Sequence, residues 1–498
     1  MSDMSKFFNR PGFISLREYI SDIDTFKKNS PWRLPMRLRE RVQLAFLRMI
    51  VKFSWFADAL FMAHGSNVGP AYAILLNYAQ KKGLFEVMSE RNLHCQGYFS
   101  YYLIKRATIH GRESLMTGQG IAVERDIALS KALGEMLERV ISGLYDKASN
   151  VCIAAPNKLL GKRPIIYPPQ YHRFLKIQTE TFERLRHNPE KPISWVKGKN
   201  LVTGEATLIP RQMTSWFIAN RQKRNMFIHS TTNGAAGYFT REGAALRGLL
   251  EVVQRDGFLV HWLTTIPPQL IRSETLPVDI QKKIQELESY GMSIHILNVT
   301  ALPIPSVFIA VLNSYSEEDP QVVLSGSSAL TFAEAIELAL REMMIAAEML
   351  YYPKPEVDEL APEPVPFISR LGKIERQLYW RGAEKVEKFK WFITGEKVSY
   401  DDLIRHDISG GKNDRERLAI CLDRLKSQGP EFYPVVYFPK NEVQEELGFY
   451  VAQVFIPKAF PFYLVEYLGT FDSDRLDQFA RSRGISNWKL NPLPHMFS

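Results

Sequence analysis

Residues 128–139 read Ala-Leu-Ser-Lys-Ala-Leu-Gly-Glu-Met-Leu-Glu-Arg, and the rest of the chain is read outward from this stretch. Its pattern returns at Ala244–Arg255 (A-A-L-R-G-L-L-E-V-V-Q-R) and at Ala335–Glu342 (A-I-E-L-A-L-R-E). In each copy a small residue precedes a glutamate by seven positions: Ala128 and Glu135, Ala244 and Glu251, Ala335 and Glu342. Seven positions are about two helical turns, so both residues fall on nearly one face. A glycine-containing loop is expected before each helix, at Thr117–Gly120, Thr232–Gly237 and Ser325–Ser328. A loop–helix unit used three times, with an acid at the same place, points to a shared site.

Geometry limits how those acids could work. Thr331-x-x-Glu334 is a capping-box pattern. With Thr331 as the cap, Glu342 lies eleven residues along, about 16 Å at ~1.5 Å per residue. Amides at the helix start could hold an anion, yet they cannot share a phosphate oxygen with Glu342. The acids are therefore expected to meet one another across a cleft between helices. Gathered carboxylates repel unless a cation lies between them, and hard oxygen ligands suit magnesium. One such helix alone reads more simply. Leu129, Leu133, Met136, Leu137, Val140 and Ile141 make an apolar stripe, which leaves Glu135 and Glu138 on the solvated face. Arg139 could then merely pair with Glu135. Three matched copies turn the reading toward function.

The motifs T-G-Q-G…A-L-S-K-A-L-G-E-M-L-E-R, T-T-N-G-A-A-G…A-A-L-R-G-L-L-E-V-V-Q-R-D and S-G-S-S…A-I-E-L-A-L-R-E resemble the successive signatures of YcaO-domain proteins. The resemblance runs from about Gly97 to the end of the chain. It implies an ATP- and magnesium-dependent enzyme that phosphorylates a peptide amide oxygen. By likeness, Glu135, Glu138, Glu251 and Glu342 match the metal- and nucleotide-binding acids, with Arg139 and Arg255 at the matching arginine positions. Lys131 stands where many members have serine, Gln254 where a second glutamate is frequent, and Gln119 where a basic residue is common. Lys131 and Gln254 are kept among the cofactor-binding candidates. The end of the chain, Asn491-Pro-Leu-Pro-His-Met-Phe-Ser498, resembles the proline-rich tail of azoline-forming members. Pro492 and Pro494 fill its first two proline places and Met496 the third. Alternating prolines leave a tail little ordering entropy to lose. Such a tail could reach into the active site and present His495 or the carboxylate of Ser498; the plainer alternative is a frayed terminus.

At 498 residues, 45% of them hydrophobic, the chain can bury a large core. Cys95, Cys152 and Cys421 are widely spaced and odd in number, which gives no disulfide framework and suits a reducing cytoplasm. The first residues lack a signal-peptide apolar run. Ala59–Gln80 carries no Asp, Glu, Lys or Arg and is long enough to span a bilayer. Gly65, Gly69 and Pro70 divide it, so two short packed helices are expected instead. A net charge of +9 permits polyanion binding. The densest basic cluster, Arg33, Arg37, Arg39, Arg41, Arg48 and Lys52, reads as the wet face of an amphipathic helix, with a docking surface as its alternative. No nucleic-acid signature with interleaved aromatics accompanies it.

The expected fold is mixed α/β of YcaO type, with acid-bearing helices around an ATP–magnesium cleft. Its divisions are a helical N-terminal region (1–96), a core with the three units (97–352), a proline-rich crossover (353–366) and a C-terminal part (367–498). A helix is expected over Arg41–Met62. Strands are expected at Ile165–Tyr167, Ile193–Val196, Ile294–Val299, Ser306–Leu312, Tyr433–Tyr437 and Phe449–Phe455. Leu201–Ile209 should form a hairpin turning at Gly204, and helices should cover Arg370–Arg381 and Arg415–Ser427. No phosphate loop of the G-x-x-x-x-G-K-[ST] kind occurs, nor H-E-x-x-H, nor G-x-G-x-x-G. His94, beside Cys95, reads as packing, whereas His229 and His261 flank the second unit and could carry protons near neutral pH.

These readings converge on an ATP-dependent cyclodehydratase that turns Cys, Ser or Thr of a ribosomally made precursor peptide into thiazoline or oxazoline. Its implied partners are that peptide and a leader-gripping protein, E1-like or built on a peptide-recognition element. A flavin dehydrogenase could join the same complex, and a homodimer is compatible. Neither a membrane nor a nucleic acid is expected as partner. The alternatives are thioamide or amidine formation by the same amide activation, and a non-catalytic assembly or RNA-associated factor.

Overall fold

The computed structural model describes residues 70–92, 99–109, 112–122, 124–143, 152–170, 173–214, 227–228, 231–289, 291–313, 322–348, 364–372, 375–376, 379–380, 383–440 and 442–497. The basic cluster, the Arg41–Met62 helix, most of the crossover, His94, Cys95, His229 and Ser498 lie outside the described residues. The chain forms two compact units, Met1–Val140 and Ile141–Ser498.

In the first unit helix α1 covers Pro70–Lys81. It is one continuous helix over the described part of the uncharged Ala59–Gln80 stretch. Strand β1 (Val87–Asn92) follows, within a region expected to be helical. It pairs antiparallel with β2 (Phe99–Ile109), which pairs with β3 (Arg112–Ala122), and β3 leads into helix α2 (Arg125–Gly143). Thr117–Gly120 is thus not a loop: it lies within β3, with Thr117 opposite Ile104 and Gly120 opposite Tyr101. Its glycines answer to packing instead. A Cβ on Gly118 would meet Ala132 O at 2.3 Å, and one on Gly120 would meet Ala128 O at 2.0 Å. The backbone of α2 therefore rests directly on β3, which is why the first residue of the repeated pattern is a fully buried alanine.

The second unit contains, in chain order, β4 (Cys152–Ala154), β5 (Ile193–Asn200), β6 (Ala206–Pro210), β7 (Ala235–Tyr238), α3 (Arg241–Thr264), β8 (Gln269–Ile271), α4 (Val278–Ser289), β9 (Met292–Asn298), β10 (Ser306–Asn313), β11 (Val322–Ser328), α5 (Phe332–Glu348), α6 (Ala383–Phe389), β12 (Lys397–Val398), α7 (Asp414–Lys426), β13 (Val435–Tyr437), β14 (Tyr450–Phe455) and α8 (Ser473–Ser482), with short helical turns between. One sheet runs β4-β5-β13-β14-β7, with β6 also on β5; the other runs β11-β10-β9-β8-β12. The fold is mixed α/β, as expected. Gly204 does turn the β5–β6 hairpin, at φ +75°, but Leu201–Thr203 belongs to the turn rather than to a strand. Ile165 makes a single bridge to Leu208 in place of a strand. Of the expected Arg370–Arg381 helix, Glu375, Arg376 and Tyr379 are helical among the described residues.

Helix α3 is the axis of this unit: 18 of its 24 residues are buried, too many for a helix with one wet face. Its first half packs with Leu302, Leu418, Val436 and Val454. Its second half enters an aromatic core with Phe308, Trp380, Phe392, Phe460 and Phe497. Glu251 and Arg255 sit where the two meet. In all three copies the strand preceding the acid-bearing helix, β3, β7 or β11, lies at the edge of its own sheet.

Candidate active site

The first two copies hold their acids in the same way. In the first unit, Glu135 Oε2 accepts the Gln119 amide at 2.6 Å and Oε1 pairs with Arg139. Arg139 also donates to both Thr117 O and Thr117 Oγ1 at 2.7 Å. In the second, Glu251 Oε2 accepts the Gly234 amide at 2.7 Å and Oε1 lies 2.6 Å from Arg255. The i,i+4 pair was legible in the sequence; the amide that fixes each carboxylate to the preceding strand or turn was not. Both acids are half-buried, and so is Glu138. Gln254 is buried, and Lys131 donates to Ile121 O at 3.1 Å.

Gly234 is at φ +78°, where only glycine is unstrained, and a Cβ there would meet Val454 O at 2.2 Å. Thr240 caps α3 by accepting the Gly243 amide. The Thr232–Gly237 segment is a turn running into β7, so only its first half is loop.

The third copy differs. Ser325–Ser328 is the end of β11, and Ser325 Oγ donates to Ala339 O at 2.7 Å. Glu342 is exposed, and Ala346 stands four residues on, where the other copies have arginine. Thr331 does accept the Glu334 amide at 3.2 Å, but Glu334 pairs with Arg417 instead of completing the box.

Magnesium bound to a polyphosphate fits these residues. Oriented carboxylate oxygens suit the cation, which needs only one or two of them beside phosphates and waters. Among the described residues no three His, Cys, Asp or Glu side chains form a closed metal cage. Two donors also lack a partner: Gln119 Nε2 and Arg255 Nε are buried without an acceptor. Each lies beside one of the clasped acids, and taken by itself each would be satisfied by a phosphate oxygen.

The tail is packed, not frayed. The Asn491 amide donates to Leu263 O at 2.9 Å and its side chain to Trp262 O at 3.0 Å. Trp262 Nε1 and Trp380 Nε1 donate to Leu493 O and Pro494 O. His495 is fully buried against Phe258, Phe462 and Tyr463 and lies 2.7 Å from Arg376 Nη1. Burial, then the Arg376 charge, holds its pKa well below the ordinary imidazole range. His495 is therefore a neutral core residue rather than a solvent-facing proton carrier. Its link to the acid site runs through Phe462, whose ring lies 5.1 Å from that of His495 and 4.5 Å from the Arg255 guanidinium. Glu466, buried beside Arg376, has its carboxyl pushed up to about 7 by burial.

His261 is a second buried imidazole. It is buried, its Nδ1 lies 2.8 Å from Ile266 O, and desolvation followed by the Arg483 charge pushes its pKa down to about 3. Such a group stays neutral near pH 7 and carries no proton. Sequence reasoning missed Asp256, one residue beyond Arg255. Fully buried, it accepts from Arg475 at 2.5 Å and from the Phe460 amide at 2.8 Å. An acid immediately after the repeated arginine was the only available signal.

The fold has known relatives among solved structures. The chain is similar in structure to a heterocyclase in complex with substrate and cofactor, with TM-score 0.68 and 16% identity over 86% of this chain and 57% of that one. It thus spans little more than half of that protein. It is also similar to YcaO from Methanopyrus kandleri bound with AMPPCP and Mg2+ (TM-score 0.57, 16% identity, 81% and 95% covered). A third likeness is to the E. coli microcin synthetase McbBCD complex (TM-score 0.53, 14% identity, 82% and 96% covered). Curated protein sequences give no match. At these identities the structural likenesses speak for the fold. No described helix is long and apolar enough to cross a membrane. The family whose sequence model matches residues 119–459, more than two thirds of the 498 residues, is described as an ATP- and Mg2+-binding YcaO cyclodehydratase, and the chain belongs to that YcaO family.

Proposed function

We propose that the protein forms azoline rings in a ribosomally made precursor peptide, and that Glu135, Glu138, Glu251 and Glu342 bind the magnesium–ATP it consumes. The observation that carries this reading is the repeated clasp: an acid fixed by a backbone amide and an arginine, beside a buried donor that lacks an acceptor. Bound magnesium–ATP would supply the γ-phosphoryl group and the charge that stabilises its transfer. This chain's part is to hold and orient. The glutamates fix the cation, while Arg139, Arg255 and Gln119 offer N–H groups to phosphate oxygens.

Atoms and charge balance in the ring-forming step. A Cys, Ser or Thr side chain of the peptide adds to the preceding carbonyl carbon and gives up its S–H or O–H proton. The former carbonyl oxygen takes the γ-phosphoryl group, releasing ADP. It then leaves as inorganic phosphate while the amide nitrogen loses its proton and a C=N bond forms. Each ring costs the peptide one water, about 18 Da.

The heterocyclase is described as bound to substrate and cofactor, and McbBCD as a complex, which supports a peptide substrate and a protein partner that presents it. Cys152 and Cys421 are free thiols, which suits a reducing cytoplasm. The test is incubation with precursor, partner, ATP and magnesium, followed by mass spectrometry and a phosphate assay. Loss of about 18 Da per ring with matching phosphate release is the expected result. Phosphate release with a different mass change would mean thioamide or amidine formation, and neither signal would reject the reading.

A further inference from the structure

Beside the Glu251 clasp lies a small cavity that this function has not used. Val252, next to Glu251, lines it with Asn233, Gln453, Met213 and Phe460, and its volume is ≈ 40 Å³. A water needs about 10–15 Å³ of such space, so the cavity takes a group of two or three heavy atoms and excludes a ring.

The polar lining is one-sided. Gln453 is 4% exposed, and its Nε2 donates to Met213 O at 3.1 Å, which fixes the amide's orientation. Its Oε1 is left buried without a donor, and so is Asn233 Oδ1. Asn233 immediately precedes Gly234, whose amide holds Glu251. A buried acceptor without a donor is costly, so the cavity favours an occupant that brings an N–H, O–H or S–H.

The geometry points to this cavity as the side-chain subsite for the residue that cyclises, with Gln453 Oε1 and Asn233 Oδ1 receiving the hydroxyl or thiol hydrogen of a peptide Ser, Thr or Cys. The assignment rests on the proposed azoline chemistry. Those three side chains have two or three heavy atoms and one donor each, which matches the cavity in size and polarity. Gln453 is then a positioning residue. An amide oxygen is too weak a base to remove the proton, but it orients the nucleophile. A hydroxyl is a stronger donor than a thiol, so losing the acceptor should penalise Ser and Thr more than Cys.

The test uses the full chain with its partner, ATP and magnesium, and three forms of the precursor carrying Cys, Ser or Thr at one ring position. Gln453→Leu keeps a side chain of similar size and removes the acceptor, together with the donor to Met213 O. Ring formation from Ser and Thr should fall roughly ten-fold relative to Cys, with KM for ATP unchanged. Val252→Ile adds a methyl group to the wall and should exclude Thr first. Unaltered Cys:Ser:Thr ratios in both variants, with wild-type melting temperatures, would overturn the subsite. If Gln453→Leu melts early, the ratios in Val252→Ile alone decide: a loss confined to Thr supports the subsite, and unaltered ratios overturn it. Should the wild type make no ring from any form, both this assignment and the azoline reading fail; rings with unchanged selectivity sink only the subsite.

Discussion

The Gly234 amide lies 2.7 Å from Glu251 Oε2, so a turn before α3 grips an acid three turns inside it. That grip requires φ +78° at Gly234, and it leaves no space for a side chain beside Val454 O. Gly234→Ala should therefore strain the backbone and push β14 away together. A loss of about 2–4 kcal/mol is expected, combining left-handed strain with overpacking. Urea unfolding checks it, and magnesium–ATP affinity should drop in whatever fraction folds. An unchanged unfolding midpoint would contradict the close approach.

Removing the acid charge should cost more activity than stability. Glu251 and Arg255 retain 25% and 15% side-chain exposure, and a Gln at 251 still offers an oxygen to the Gly234 amide, so the lost charge costs about 1–3 kcal/mol of stability. Glu251→Gln should still fold and yet release phosphate at least about 100-fold more slowly. Glu135→Gln should match it, because the first clasp has the same construction. Should either variant keep its full rate, that glutamate is no ligand.

The difference between these predictions marks what the sequence could reveal. The seven-residue spacing showed that Ala128 and Glu135 share a helix face, and the four-residue step to Arg139 offered that ion pair, whereas the Glu251–Arg255 pair was not read. Spacing could not show that Gly118 and Gly120 belong to a strand. A glycine read as a turn signal also serves where two backbones touch, and only the register of β2 on β3 separates the two cases. The tail was legible as stiff, but its burial depended on partners such as Trp262 and Trp380, more than a hundred residues away along the chain. Asp256 went unnoticed for the same reason: its partners Arg475 and Phe460 are distant in sequence.

Acid should expose the histidine that the sequence took for a proton carrier. His261 has its pKa depressed to about 3 by burial in the fold, against an ordinary value near 6.5. Below about 6.5 the unfolded chain takes up a proton that the folded protein refuses. The stability this group contributes is complete above that pH and is lost steadily as pH falls toward 3. His495, also depressed, acts in the same direction. In His261→Gln the acid limb should be shallower by up to one proton, about 1.4 kcal/mol per pH unit. Urea midpoints at pH 7, 6 and 5 decide it; parallel limbs in wild type and variant would rule out a neutral buried imidazole.

The tail offers a separation of stability from site geometry. Met496 and Phe497 are buried in the aromatic core, and burying such a side chain is worth about 1.5–3 kcal/mol. Deleting residues 494–498 should thus remove several kcal/mol and expose Phe308 and Trp380, detected as a large fall in melting temperature. Phe462→Leu probes the other role. It keeps an apolar side chain in place but removes the ring beneath Arg255, a cation–π contact worth about 0.5–1 kcal/mol. With its brace gone, Arg255 should hold phosphate less well, raising KM for ATP several-fold while the melting temperature moves by only a few degrees. A Phe462→Leu enzyme with wild-type kinetics would confine the tail and Phe462 to packing, with no hold on the arginine that pairs with Glu251.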